Sequence, residues 1–306
     1  MSPEPISFAR GAPSLDIVDV EGLRAAADRA LSGDPAGAFS YGTAIGYPPL
    51  REWIAERHGV EPARVIVTNG SMQADAFLFE ALVREGDSVV VESPTYDRTL
   101  LSLRSQGADV HAITLEEDGI DVAELATRLD GGLRPRLAHI IPNFQNPAGF
   151  TLARAKRDRL LELAGAHDFV VFEDDPYVAL RFRGETLPTM LDLDGDRVVY
   201  ASSFSKTVCP GIRVGYLVGP EDLLHYLKDA GLEPGVEGVV ERASDGDVVV
   251  RSNGRDCTVT SSVAETVSAT LAVTVQSPPL ERTTTSPSLA RSTTPSSPGS
   301  KPASLR

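Results

Sequence analysis

The sequence predicts an α/β fold built on a mostly parallel sheet, followed by a short β-rich segment and a disordered tail. Three observations carry that reading. From Arg64 to about residue 222, short runs rich in Val and Ile alternate with stretches of helical periodicity, the pattern of strands joined by crossover helices. Beyond about residue 223 the runs become shorter and are separated by turns such as SDGD and SNGRD, which suit hairpins. Finally, 19 of the 30 residues in 277–306 are Ser, Thr or Pro, a composition that buries too little apolar surface to fold.

Residues 1–35 form an N-terminal segment, irregular at first and then helical over 20–31, where Leu23, Ala26, Ala27, Ala30 and Leu31 recur at helical spacing. The tract GDPAGAFSYGTAIGYPPLREWIAERHG then sets glycines around Tyr41 and Tyr47, backbone that lets a ligand or another chain come close. Tyr41 reads equally as an ordinary loop aromatic. RVIVTNGSMQADAFLFEALV is a short strand, a glycine turn at 69–71 and a helix starting near Met72. Backbone amides at such a start favour an anion at Ser71, Met72 and Gln73, although Ser71 also reads as a plain N-cap.

DSVVVESPTYDRTLL repeats the plan, with a strand over 88–92, a proline turn and a helix from about Asp97. Tyr96 lies just past the strand's carboxyl end, the edge where open α/β sheets bind ligands. ADVHAITL is a further strand, and EEDGIDVAELATRL gives a turn and an amphipathic helix. The strand over 137–142 runs into NFQNPAG, which carries the amides of Asn143 and Asn146 on a tight turn. The strand over 169–172 ends in Glu173, Asp174 and Asp175. Acidic groups at a buried strand end need a partner. One of them would face a cationic ring nitrogen, or the three would cap the DDPY turn.

The last strand, 198–202, delivers Ser203, Ser205 and Lys206, with Arg213 seven residues after the lysine. A cationic neighbour in a partly dry pocket lowers a lysine's pKa, which suits an amine that attacks an aldehyde to form a Schiff base. The arginine would hold a phosphate bidentately. Reactive lysine and phosphate grip together are what pyridoxal 5'-phosphate requires. On SxxK alone, a surface lysine after a buried strand is the alternative.

Composition narrows the partners. A net charge of −14, from 43 Asp and Glu against 29 Lys and Arg, argues against nucleic acid or an anionic membrane. The two cysteines, Cys209 and Cys257, form neither a disulfide framework nor a pair with metal-ligand spacing, so no metal site is expected. No apolar run approaches the roughly 20 residues of a membrane span, and MSPEPISFARG lacks the apolar core of a signal peptide. A cytoplasmic protein is expected.

In their order, YGTAIGYPPLR, TNGSMQA, ESPTY, NFQNPAG, EDDPY and SFSKTVCPGIRVGY make residues 8–222 resemble the class I/II aminotransferases. These are fold type I pyridoxal-phosphate enzymes, and the resemblance is strongest to the branch of aromatic and 2-aminoadipate aminotransferases. It implies that Lys206 carries the cofactor and moves the substrate proton. Asp174 would pair with the ring nitrogen, Asn146 and Tyr177 would bond the ring oxygen, and Tyr96 would stack on the ring. The phosphate would lie against Ser71, Met72, Gln73, Ser203, Ser205 and Arg213. Tyr41 would reach the phosphate of a neighbouring subunit in a homodimer, and Gly11 and Asn146 would lie near the substrate. The substrates implied are an amino acid and a 2-oxo acid.

The organisation expected is therefore an N-terminal segment (1–35), a cofactor-binding large domain (36–222), a small β-rich segment (223–275) and a disordered tail (276–306). Residues 224–275 resemble the SH3-like barrel of iron-dependent repressors, through the GLEPG turn and the later GDVVV run. The family's long helix and small domain, with the arginine that grips the substrate carboxylate, are not recognisable there. Two functions follow: an aminotransferase, impaired by that missing part, or a non-catalytic cofactor-binding or regulatory protein.

Overall fold

The computed structural model describes residues 13–229, 239–242, 248–252 and 255–259. Gly11 and the tail expected at 276–306 lie outside them. The chain forms two units, Met1–Val236 and Glu237–Arg306.

The first unit opens with α1 (Val20–Gly33) and α2 (Pro35–Phe39), started by Asp19 and Asp34, whose side chains accept from the N–H groups of Gly22 and Gly37. Next come α3 (Pro48–His58), β1 (Val65–Thr68), α4 (Ser71–Leu82), β2 (Ser88–Ser93) and α5 (Asp97–Ser105). They are followed by β3 (Asp109–Glu116), β4 (Gly119–Ile120), α6 (Val122–Asp130), β5 (Pro135–Ile140), α7 (Arg154–His167) and β6 (Val170–Asp174). The unit closes with α8 (Met190–Leu193), β7 (Val198–Ser203), β8 (Gly215–Val218) and α9 (Glu221–Asp229).

Eight strands make one sheet in the order β1-β8-β7-β6-β5-β2-β3-β4. The pairs β3–β2, β2–β5, β5–β6 and β6–β7 are parallel, whereas β8 runs antiparallel to both β1 and β7. β8 is the strand that the alternating pattern does not mark, because its four residues follow the RVG turn with no crossover helix before them. Helices cover both faces, which is why the strands read as unbroken apolar runs. Alternation divides each strand between two cores. Val90, Ala138, Val171, Val198 and Tyr200 face α3, α6 and α7 on one side. Val89, Val91, Leu137, Phe172, Val199 and Ala201 face α4 and α5 on the other. α9 belongs to this second core, through buried Leu224 and Leu227. Among the described residues, no helix is long and apolar enough to cross a membrane.

The second unit shows three strands, β9 (Val239–Arg242), β10 (Val248–Ser252) and β11 (Arg255–Val259), paired antiparallel in the order β11-β10-β9. These are the β-rich runs expected there. A closed SH3-like barrel is not seen among the described residues.

One close approach fixes where the helix α4 begins. Gly215 in β8 pairs with Thr68 in β1, and a Cβ on Gly215 would lie 2.6 Å from the Gly70 carbonyl carbon and 2.7 Å from the Ser71 nitrogen. Both are backbone atoms that cannot swing aside. We therefore expect Gly215→Ala to destabilise the first unit by about 1–3 kcal/mol, the usual cost of overpacking. Urea unfolding checks this, and an unchanged midpoint would mean the two segments have room to separate.

Candidate active site

The parallel strands deliver their carboxyl ends to one edge of the sheet, and a cavity of about 500 Å³ opens there. Ser71 and Met72 from the start of α4 line it, as do Tyr96 ahead of α5 and Asn146 in the loop after β5. Asp174 at the end of β6, Tyr177 just beyond it, and Ser203, Ser205, Lys206 and Arg213 from the β7–β8 connection complete the polar lining. Ten of the thirteen residues singled out in the sequence thus share one cavity.

At one end the cavity is built for an anion. α4 starts at Ser71, with Gly70 as an N-cap that offers no side chain. Ser71 is therefore the first helical residue and not the cap. The first N–H groups of a helix have no intrahelical acceptor, so this end presents donors and the positive pole of the helix dipole. Arg213 stands beside it in the left-handed conformation (φ 51°), its Nη2 donating to the Asn69 carbonyl at 3.3 Å. A Cβ on Gly70 would lie 2.5 Å from that same Nη2, so only glycine lets the guanidinium approach. Ser203 and Ser205 add hydroxyls held together at 2.8 Å.

Gln73 does not join this end. Its side-chain oxygen turns back to accept from the Asn69 N–H at 2.7 Å, and its own N–H donates to the Gly70 carbonyl at 3.2 Å. Tyr41 is fully exposed, well away from its own chain's cavity lining.

The far wall is acidic. Asp174 is 6% exposed, its Oδ1 has no hydrogen-bond partner among the described residues, and its Oδ2 lies 3.6 Å from His139 Nε2. The register of β6 decides which of the three acids sits here, because alternate residues face opposite sides of a sheet. Glu173 points away, accepting from the N–H groups of Met190 and Leu191 at 2.9 and 3.0 Å, 3.6 Å from buried Arg157. Asp175 also points away, accepting from Asn143 Nδ2 at 2.9 Å, and burial pushes its pKa up to about 7. His139 lies inside RLAHIIPN, where nothing in the sequence sets it apart from strand residues that only pack, whereas Asn143 is marked as an amide on the turn that follows.

Lys206 lines the same cavity, its Nζ 5.8 Å from the centre of the Tyr177 ring. Burial lowers its pKa. Of the two causes the sequence suggested, a cationic neighbour and a partly dry pocket, desolvation is the one that lowers it. Tyr177 is hydrogen-bonded to the Asn146 side chain, and its pKa is raised by burial and by the Asp174 charge. Tyr96 is raised by burial as well.

Residues 3–233 match the family model for aminotransferases of class I and II. The chain belongs to that family. It is 35% identical over 236 residues to the aromatic-amino-acid aminotransferase 1 of Thermococcus litoralis, covering 74% of this chain and 57% of that one. It is also 35% identical over 229 residues to the 2-aminoadipate transaminase of Thermus thermophilus, with the same two coverages. A solved Thermus thermophilus structure, the α-aminoadipate aminotransferase LysN complexed with N-(5'-phosphopyridoxyl)-L-leucine, superposes with a TM-score of 0.70 at 35% identity. It covers 73% of this chain and 58% of its own. The chain thus spans a little over half the length of the curated relatives it matches.

Glu92 anchors the loop that carries Asn146. It is 1% exposed, its Oε2 accepts from the Ile141 N–H at 3.1 Å and from Gln145 Nε2 at 3.2 Å, and burial pushes its pKa up to about 8. The folded state therefore holds a proton that the unfolded chain releases near its ordinary value of 4.5. Between those two pH values the unfolded state binds fewer protons, so stability falls as pH rises, by up to about 1.4 kcal/mol per unit for this carboxyl. Glu92→Gln keeps an acceptor for both donors and removes the ionisation. Urea midpoints of the variant should decline less between about pH 5 and about pH 8 than those of the parent. Parallel declines would show that Glu92 is ionised in the folded protein.

Proposed function

We propose that this chain binds pyridoxal 5'-phosphate in the cavity and serves transamination between an amino acid and a 2-oxo acid. The observation that carries it is the set of groups gathered in one cavity: an anion-binding helix start with Arg213, the desolvated Lys206 amine and the unpartnered Asp174 oxygen. That donor set fits a molecule with a phosphate at one end, an aldehyde in the middle and a basic ring nitrogen at the other. Bound there, the cofactor supplies an electron sink for the negative charge left on the substrate's α-carbon.

The residues divide the work. Ser71, Met72, Ser203, Ser205 and Arg213 hold the phosphate and so fix the position of everything beyond it. Asp174, with its unpartnered oxygen, would hold a proton on the ring nitrogen. Asn146 and Tyr177 would offer hydrogen bonds to the ring oxygen, and Tyr96 would pack against the ring. Burial keeps a larger share of Lys206 as the neutral amine, the form that bonds to a carbonyl and accepts the α-proton.

The full reaction also needs a grip on the substrate carboxylate, and the family match stops at residue 233. A charge-assisted bidentate contact contributes about 1.5–3 kcal/mol, so loading with cofactor is expected together with weak saturation by amino acids. A homodimer is part of the same reading. Tyr41 and Phe39 stand almost fully in solvent and α1 buries none of its side chains in its own chain, a surface suited to a second copy. Neither metal, nucleic acid nor membrane enters this reading, and a cytoplasmic location fits it.

Purified protein should show the visible absorption of the lysine-bound cofactor and a borohydride adduct on Lys206, both lost in Lys206→Ala. An adduct on another lysine would sink the assignment. Asp174→Asn should keep the cofactor but slow α-proton removal by roughly two to four orders of magnitude, with Asp175→Asn doing far less. Equal effects would mean that β6 is out of register. Half-reactions with a panel of amino acids test turnover. Cofactor binding without any half-reaction would favour a regulatory role, whereas ordinary saturation would place a carboxylate-binding arginine among residues 224–306.

A further inference from the structure

Behind Asp174, on the side away from the cavity, lies a second buried carboxyl that the cofactor reading does not use. Asp75 sits one helical turn after Ser71 on α4 and is 5% exposed. Its carboxylate, the His139 imidazole of β5 and the Asp174 carboxylate of β6 each bring one atom within 4.8 Å of the others. Asp75 Oδ1, Asp174 Oδ1 and both ring nitrogens of His139 lack hydrogen-bond partners among the described residues. The imidazole is held edge-on between Phe172 at 5.2 Å and Phe79 at 6.3 Å, so it cannot rotate out to water. Apart from these three groups, Tyr96, ahead of α5, interacts with both carboxylates, and Glu92, Asp175 and Tyr177 interact with Asp174.

Two carboxylates this close in dry protein cannot both ionise at low cost. Asp174 reaches the cavity, where a cationic partner would offset its charge; Asp75 does not line the cavity and has no such outlet. We propose that Asp75 is a positioning residue of this site, one that keeps its proton and offers it within the cluster, so that Asp174 remains the single negative charge at the cavity wall. The proposal rests on the cofactor reading above. Burial first, and the Asp174 charge second, hold the Asp75 carboxyl well above the usual range. The consequence is a wall that carries one carboxylate charge, with a neutral carboxyl packed within 4.8 Å behind it.

The test begins on cofactor-free protein, by NMR of 13C-carboxyl-labelled aspartate, with the Asp75 signal assigned by its loss in Asp75→Asn. Asp75 should stay protonated well above the pH at which an exposed aspartate ionises, and Asp174→Asn should lower its ionisation pH, because the repelling charge is gone. On loaded protein, Asp75→Asn, which keeps a neutral donor, should leave cofactor affinity within about twofold and the pH midpoint of the visible band unmoved. Asp75→Leu, which removes the donor, should weaken cofactor binding by about tenfold or more. Ionisation of Asp75 near about pH 4 would overturn the proposal. So would a displaced midpoint in Asp75→Asn, unaltered affinity in Asp75→Leu, or a stoichiometric divalent metal lost on Asp75→Asn. A protein whose Asp75 stays protonated but which takes up no cofactor would instead refute the cofactor reading, and Asp75's positioning role with it.

Discussion

Desolvation at the carboxyl edge of the parallel strands is the constraint on which the site depends. The same dry environment acts in opposite directions on groups of opposite charge type, because it penalises whichever form is ionised. It lowers Lys206 and raises Glu92, Asp75 and Asp175, and burial is the leading cause in all four. A reactive amine and a set of protonated carboxyls are therefore products of one packing arrangement. The helices that cover both faces of the sheet create that arrangement, and the strand ends expose its polar groups to a single cavity.

Within that edge, strand alternation separates structural acids from the one that can meet a ligand. Glu173 and Asp175 turn toward the core that holds α7 and α8, where Arg157, Asn143 and two backbone N–H groups receive them. Asp174 turns toward α4 and keeps an oxygen without a partner. A buried polar atom that is left unpaired costs free energy comparable to a lost hydrogen bond, so its persistence at the cavity wall is what a waiting ligand contact would explain. Neighbouring residues of like chemistry thus have unlike roles for a geometric reason.

Much of this was legible in the chain, and what was not has identifiable causes. The parallel sheet follows from strand and helix periods, and the cavity residues follow from short motifs placed after strand ends. β8 escaped because a four-residue apolar run gives no sign of its direction. Gln73 looked equivalent to Ser71 and Met72, since no spacing rule shows that its amide folds back onto Asn69. The Lys206 shift was read from a nearby charge together with a partly dry pocket, and burial, which a sequence displays only indirectly, is the cause. Asp75 and His139 were invisible for a related reason. They are 64 residues apart, each within an apolar element, and only the packing of α4 over the sheet brings them together.

The position of the site along the chain bears on what the protein can do. The residues that line the cavity lie between Ser71 and Arg213, and α9 closes the α4 face of the sheet with Leu224 and Leu227, a few residues before the family match ends at 233. The apparatus proposed to hold the cofactor is thus supplied by a unit whose two cores are already formed from its own helices. In the proposed function, a grip on the substrate carboxylate is a requirement separate from holding the cofactor. Substitutions at Arg213 should act on cofactor holding, and those at Asp174 on proton removal once the cofactor is loaded.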